Sequence, residues 1–118
     1  NNQYIVQCDV NKIEQVVTNL LVNSINYGND GGHTIIKFFD MEDKVLIEVS
    51  DNGIGIKKNL QRKIFRPGVT TKERGWGLGL SLAKRIIEEY HNGQIKVLES
   101  TVGKGTKLLI QLKAFKGI

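Results

Sequence analysis

"RGWGLGLSLAKRI", residues 74–86, sets Gly75, Gly77 and Gly79 at alternate positions directly ahead of an amphipathic helix. Glycine inside an element costs about 1 kcal/mol against alanine and offers no side chain to pack, so such a cluster needs a compensating reason. A surface turn is one. The other is a ligand lying against bare backbone, where the unpaired N–H groups of a helix start favour a phosphate. The rest of the chain decides between them.

The length of 118 residues suits one domain, expected to span 1–118. Hydrophobic residues make up 40% and charged ones 25%, and a single proline with no low-complexity run predicts a chain folded throughout. No apolar run approaches a membrane span and the start lacks a basic-then-apolar signal pattern, while the missing initiator methionine points to a fragment of something longer. The one cysteine, Cys8, cannot form an internal disulfide, suits a reducing cytosol and is expected as a small core residue. The net charge of +5 is compatible with nucleic acid, an anionic ligand or an acidic partner. Its basic residues are scattered and no aromatic platform alternates with them, which argues against nucleic acid.

"YIVQCDV", residues 4–10, reads as a strand leading into a helix capped by Asp9 or Asn11 and running to Tyr27. That helix has an apolar face of Ile13, Val16, Val17, Leu20, Leu21 and Ile25. "HTIIKFF" and "KVLIEVSD" form an antiparallel pair joined around Glu42 and Asp43. Residues 57–76 are weakly patterned, with one short helix at 60–65, and form a candidate functional loop. A helix at 78–90 packs Leu82, Ala83, Ile86, Ile87 and Tyr90 and stops at "HNG". "QIKVLES" and "TKLLIQLK" close the chain as a hairpin around "TVGKG". Strands grouped in hairpins, without repeated β-α-β alternation, predict an α+β sandwich with helices on one face of a mixed sheet.

The first helix carries Gln15, Asn19, Asn23 and Asn26 in one sector away from the apolar stripe. Taken alone this is a solvated polar face. Such faces are usually built from Glu, Lys and Arg, however, and amide oxygens are hard neutral ligands suited to Mg²⁺ beside substrate phosphates. "DNGIGI", residues 51–56, is either a plain strand-ending turn or a base site. In the second case Asp51 accepts from an exocyclic amine, and Gly53 and Gly55 let a flat ring approach the backbone. Lys72 and Arg74 are either solvated loop charges or phosphate contacts.

In order, "NLLVNSINYG", "DNGIGI", "IFRPGVTTK", "GWGLGLSLAKRI" and "GKGT" resemble the N, G1, F, G2 and G3 boxes of the sensor histidine kinase ATP-binding domain. That domain is a member of the GHKL superfamily, with DNA gyrase B, the heat-shock protein of ninety kilodaltons and MutL. The resemblance covers nearly the whole chain. It implies a Bergerat fold, a two-layer α/β sandwich with a mixed sheet of about five strands, about three helices on one face and a mobile ATP lid. It implies ATP and Mg²⁺, with Asn23 as the metal ligand, Asn19 near the γ-phosphate and Tyr27 lining the pocket. Asp51 would take the adenine amine, Gly53 and Gly55 would face the base, and Thr106 would close the base pocket. Residues 57–76 would be the lid, anchored by Phe65, with Gly75, Gly77 and Gly79 as its hinge and the phosphate-facing helix start. Asn26, Ile56, Thr71, Lys72, Leu78 and Leu80 complete the nucleotide set by the same resemblance, with Lys72 and Arg74 serving phosphate transfer.

Relatives that hydrolyse ATP typically carry glutamate where this chain has Asn19. An amide cannot take a proton at neutral pH, so transfer here would rest on positioning and charge neutralisation, with a neutral imidazole as nucleophile. Two positions depart from the family's pattern: Asn26 where a basic residue is usual, and Trp76 where Thr or Ser is common. Neither His33 nor His91 falls in a phosphoacceptor-like helix. The acceptor is therefore expected on a dimerisation domain of the same protein, relaying to a response regulator. The resemblance implies a cytoplasmic domain, monomeric as this piece, within a homodimeric parent that is either soluble or anchored in the inner membrane. A nucleotide-binding regulatory module without transfer activity and a gyrase- or chaperone-type ATPase are the alternatives.

Overall fold

The computed structural model describes residues 4–6, 8–26, 32–41, 43–66 and 76–116. The elements run β1 (Tyr4–Ile5), α1 (Val10–Asn26), β2 (Thr34–Met41), β3 (Lys44–Asp51), a 3₁₀ turn (Lys58–Leu60), α2 (Trp76–Arg85), a π turn (Ile86–Tyr90), β4 (Gln94–Thr101), β5 (Gly105–Lys113) and β6 (Phe115–Lys116).

Asp9, rather than Asn11, starts α1. Its Oδ1 accepts the Lys12 N–H at 3.2 Å and its carbonyl accepts the Ile13 N–H at 2.9 Å, so one residue supplies both the cap and the first helical bond. The Asp9 N–H in turn donates to His91 Nε2 at 2.9 Å, and His91 Nδ1 lies 2.8 Å from the Ile86 carbonyl. A backbone N–H can only donate, so Nε2 carries the lone pair and the ring proton sits on Nδ1, where it donates to Ile86. The imidazole thereby ties the start of α1 to the end of the second helical segment.

The expected mixed sheet of about five strands is, among the described residues, a four-stranded antiparallel sheet in the order β2-β3-β5-β4, with β1 and β6 forming a separate antiparallel pair. The crossover from β3 through α2 does return β4 in the direction of β3. The last strand, β5, then inserts between them and pairs antiparallel with both, so no parallel neighbours arise. The first strand is also shorter than the expected 4–10: among the described residues only Tyr4 and Ile5 find strand partners, in Lys116 and Phe115.

Alternation along the strands places one face under the helices. Val45, Ile47 and Val49 on β3 stand opposite Leu112, Ile110 and Leu108 on β5. With Ile95 they meet Val16 and Leu20 of α1 and Ala83, Ile86 and Ile87 of the second helical segment in one apolar cluster. Each fully buried aliphatic side chain there contributes about 1.5–3 kcal/mol. Ile56, Ile64, Phe65 and Leu80 join the same cluster, so the loop after β3, the turn-rich segment beyond it and the start of α2 are anchored to one core. Cys8 is half-buried and outside this cluster, not a core residue.

The second helix differs from the expected 78–90 at both ends. It begins at Trp76, and its last turn, Ile86–Tyr90, is π-helical. A turn closed i→i+5 holds an extra residue, which rotates Tyr90 off the line of Ile86 and Ile87. Tyr90, expected on the apolar face, is 55% exposed, and the Lys12 ammonium lies 4.7 Å from its ring centroid. The segment stops where expected: Asn92 adopts φ 54°, and Gly93 N–H donates back to the Ile87 carbonyl at 2.8 Å. The expected short helix at 60–65 is the 3₁₀ turn Lys58–Leu60 followed by non-helical turns.

Replacing His91 by alanine removes both imidazole bonds while leaving the core intact. The expected result is a loss of about 1–2 kcal/mol, read as a lower urea midpoint with an unchanged m-value.

Candidate functional site

Asp51 is the last residue of β3 and stands directly opposite Thr106 on β5. The alternation that sends Val49 and Leu108 under the helices sends Asp51 and Thr106 to the same face, one step beyond the apolar cluster. Thr106 is the one buried polar residue at that end of the sheet among the described residues. The Asp51 carboxylate turns the chain after the strand, its Oδ1 accepting the Gly53 N–H at 2.9 Å. Asn52 fixes the neighbouring edge, accepting the His33 N–H on Oδ1 at 2.7 Å.

Beyond this turn the loop lies flat on the β4–β5 hairpin. Gly55 has φ +76°, and a Cβ there would come within 2.2 Å of the Thr101 carbonyl oxygen. Gly105 has φ +128°, and a Cβ there would lie 2.0 Å from the Asp51 carbonyl oxygen. Both contacts are with backbone, which cannot step aside, so glycine is required at each. Gly103 N–H donates to the Ile54 carbonyl at 2.9 Å.

Two residues that sequence reasoning missed hold this assembly together. The Ser100 hydroxyl on β4 accepts the Ile56 N–H at 2.8 Å and lies 2.7 Å from Thr106 Oγ1 and 3.1 Å from the Gly105 carbonyl. Gln61 donates from Nε2 to the carbonyls of Ile56, at 3.0 Å, and Ser100, at 3.3 Å. The available signal was positional: Ser100 is a small hydroxyl residue just ahead of the glycine-flanked turn that precedes Thr106.

The structure thus brings together Asp51, Gly53, Gly55, Ile56 and Thr106. Ile56, Phe65 and Leu80 lie in the apolar cluster, 6%, 9% and 3% exposed, so Phe65 and Leu80 are core side chains and Ile56 joins the Asp51–Ile56 loop to that core. Asn19 is half-buried on α1, between the core residues Val16 and Leu20 in sequence. The helix is unbroken through Asn26, so Asn19, Asn23 and Asn26 share a face at i, i+4 and i+7, while Gln15 is exposed. The side-chain surroundings of Asn23, Asn26 and Leu78 lie outside the described residues, as do Tyr27, Thr71, Lys72, Arg74 and Gly75 altogether. Gly77, just ahead of the expected helix 78–90, is inside its first turn together with Gly79. A groove of about 400 Å³ reaches Asp51 and Thr106 past Ile35, Ser50 and Lys107 on the opposite face of the sheet; among the described residues, none of α1 lines it.

An amide-bearing helix, a hairpin ending in an Asp-Asn-Gly loop, a glycine-rich helix start and a closing hairpin around an antiparallel sheet make up a Bergerat-like α+β fold. The chain belongs to the family described as "Histidine kinase-, DNA gyrase B-, and HSP90-like ATPase", whose profile matches residues 8–116. It is 45% identical over 109 residues to Sporulation kinase E of Bacillus subtilis (strain 168), covering 91% of this chain and 14% of that protein. The chain therefore spans about a seventh of that relative's length. Among solved structures, the nucleotide-free catalytic domain of histidine kinase ThkA superposes with a TM-score of 0.82 at 37% identity, over 92% of this chain and 71% of that one. ThkA in complex with the response regulator protein TrrA matches with a TM-score of 0.77 at 33% identity, over 92% of this chain and 30% of that one.

Gly55→Ala forces either a strained φ or a displaced hairpin. It is expected to cost about 2–3 kcal/mol, measurable by denaturant unfolding, whereas alanine at the open position Gly103, where only φ +84° opposes it, costs less.

Proposed function

We propose that this chain is the ATP-binding catalytic domain of a two-component sensor histidine kinase, a protein-histidine kinase unit that transfers the ATP γ-phosphate to a histidine on a separate dimerisation domain. The observation that carries the reading is the cross-strand pair of Asp51 and Thr106, set against the glycine loop at the end of the helix-covered face. A carboxylate only accepts hydrogen bonds, so this end of the sheet suits a base that offers an exocyclic amine. Similarity to kinases of sporulation and to a kinase crystallised with a response regulator supports the wider role. In it a homodimeric parent passes the phosphoryl group to a receiver domain. No described helix is long and apolar enough to cross a membrane.

The division of labour follows from residue chemistry. Asp51 and Thr106 hold the base end of the nucleotide, with Gly53 and Gly55 keeping the loop close. Asn19 and Asn23, one turn apart on α1, present neutral oxygen donors toward the triphosphate end, and Asn23 would hold Mg²⁺. When bound, that ion neutralises charge on the transferring phosphoryl group. Asn19 cannot act as a base, so it orients phosphate rather than activating water, which favours an acceptor that is already nucleophilic. Lys72 and Arg74 supply positive charge from the segment between Phe65 and α2, compensating for the neutral Asn26.

Mixing this chain with Mg·ATP and a separately produced dimerisation-domain fragment should yield acid-labile phosphohistidine on that fragment. Nucleotide binding without label would reduce the chain to a regulatory module, and steady hydrolysis without an acceptor would make it an ATPase. Asn23→Ala should abolish Mg²⁺-dependent transfer. Asp51→Asn should weaken ATP binding roughly 10–100-fold, the worth of a hydrogen bond to a charged group, in a fluorescent-nucleotide competition assay. Lys72→Ala should slow transfer while leaving the protein folded, and an unchanged rate would remove Lys72 from the site.

A further inference from the structure

We propose that Ser100 is a positioning residue that sets the base preference of the site, by holding the Thr106 hydroxyl as a pure acceptor. The inference rests on the reading that a purine base lies against Asp51 and Thr106.

A serine hydroxyl has one proton and two lone pairs. The Gly105 carbonyl, 3.1 Å from Ser100 Oγ, can only accept, so the Ser100 proton points there. The Ile56 N–H, 2.8 Å away, can only donate and takes one lone pair. The 2.7 Å contact to Thr106 Oγ1 must then be filled by the Thr106 proton, donated into the remaining lone pair. All three bonds hold only under this assignment. Burial of Thr106, 8% exposed, shields the arrangement from exchange with water.

The Thr106 proton is therefore turned back toward β4, and its oxygen offers lone pairs alone. Directly across the β3–β5 ladder stands the Asp51 carboxylate, which also accepts only. Two acceptors side by side favour a ring bearing an amine and oppose one with a carbonyl in the same place, where lone pair would meet lone pair. Ser100 makes this wall uniform without touching the base. Removing it frees the Thr106 proton to rotate toward the ligand, where it can donate to a carbonyl.

The experiment measures the dissociation constants of ATP and inosine triphosphate, which carries a carbonyl in place of the amine, by competition against a fluorescent nucleotide on the 118-residue chain. The unsubstituted chain should prefer ATP. Ser100→Ala should reduce the ATP-to-inosine-triphosphate preference about tenfold, the worth of one net hydrogen bond. Ser100→Thr, which keeps the hydroxyl, should retain the original ratio. In a Thr106→Val background Ser100→Ala should leave the ratio unmoved, because the two act as a unit. A purely structural Ser100 would weaken both nucleotides equally. An unchanged ratio in folded Ser100→Ala overturns the proposal while leaving ATP binding intact; failure of the unsubstituted chain to bind ATP overturns both. Should Ser100→Ala not fold, Ser100→Cys, a weak acceptor of similar size, gives the same readout, and an unchanged ratio there is equally decisive.

Discussion

The close approach of the Asp51–Ile56 loop to the β4–β5 hairpin is the constraint on which the site depends. Backbone meets backbone at Gly55 and Thr101, and again at Gly105 and Asp51, at distances no side chain tolerates. The loop is thus a fixed wall of the sheet's end. Ser100 and Gln61 supply hydrogen bonds for its polar groups, satisfying the Ile56 N–H and the Ile56 and Ser100 carbonyls. An unpartnered peptide group in so enclosed a position would cost about 1–3 kcal/mol, so these two side chains are as much part of the wall as the glycines are.

The remaining elements are arranged around this wall. Antiparallel pairing of β5 with both β3 and β4 places Asp51 and Thr106 side by side. The apolar cluster then carries α1 onto the same face through Val16 and Leu20. The His91 imidazole fastens the start of that helix to the end of the π turn, so α1 cannot slide along the sheet without breaking the bond from Asp9 N–H to Nε2. One core therefore holds the sheet end with Asp51 and Thr106 and the helix α1 on a single face.

Much of this is legible in the residues. The 3.6-residue spacing of Ile13, Val16, Val17 and Leu20 marks α1 and the face it buries, and alternation marks β3 and β5, because both patterns record burial directly. Asp51 and Thr106 were readable from their motifs. Ser100 and Gln61 were not, since a serine in a strand and a glutamine in a turn look solvated until the partner loop is laid over them. Tyr90 was misread for a related reason: helical spacing assumes a constant turn, and the π turn shifts every residue after Ile86.

The sequence by itself determined which segments pair locally, which faces are apolar and which family the chain resembles, because propensity, periodicity and motif spacing are properties of neighbouring residues. Only the tertiary structure decided that β5 separates β3 from β4, that Gly77 falls inside the helix, and that the Ser100 hydroxyl arrives 2.7 Å from Thr106 Oγ1. Those features depend on which distant groups arrive at one place. A hydroxyl's single proton, in particular, is assigned only when all of its partners are present.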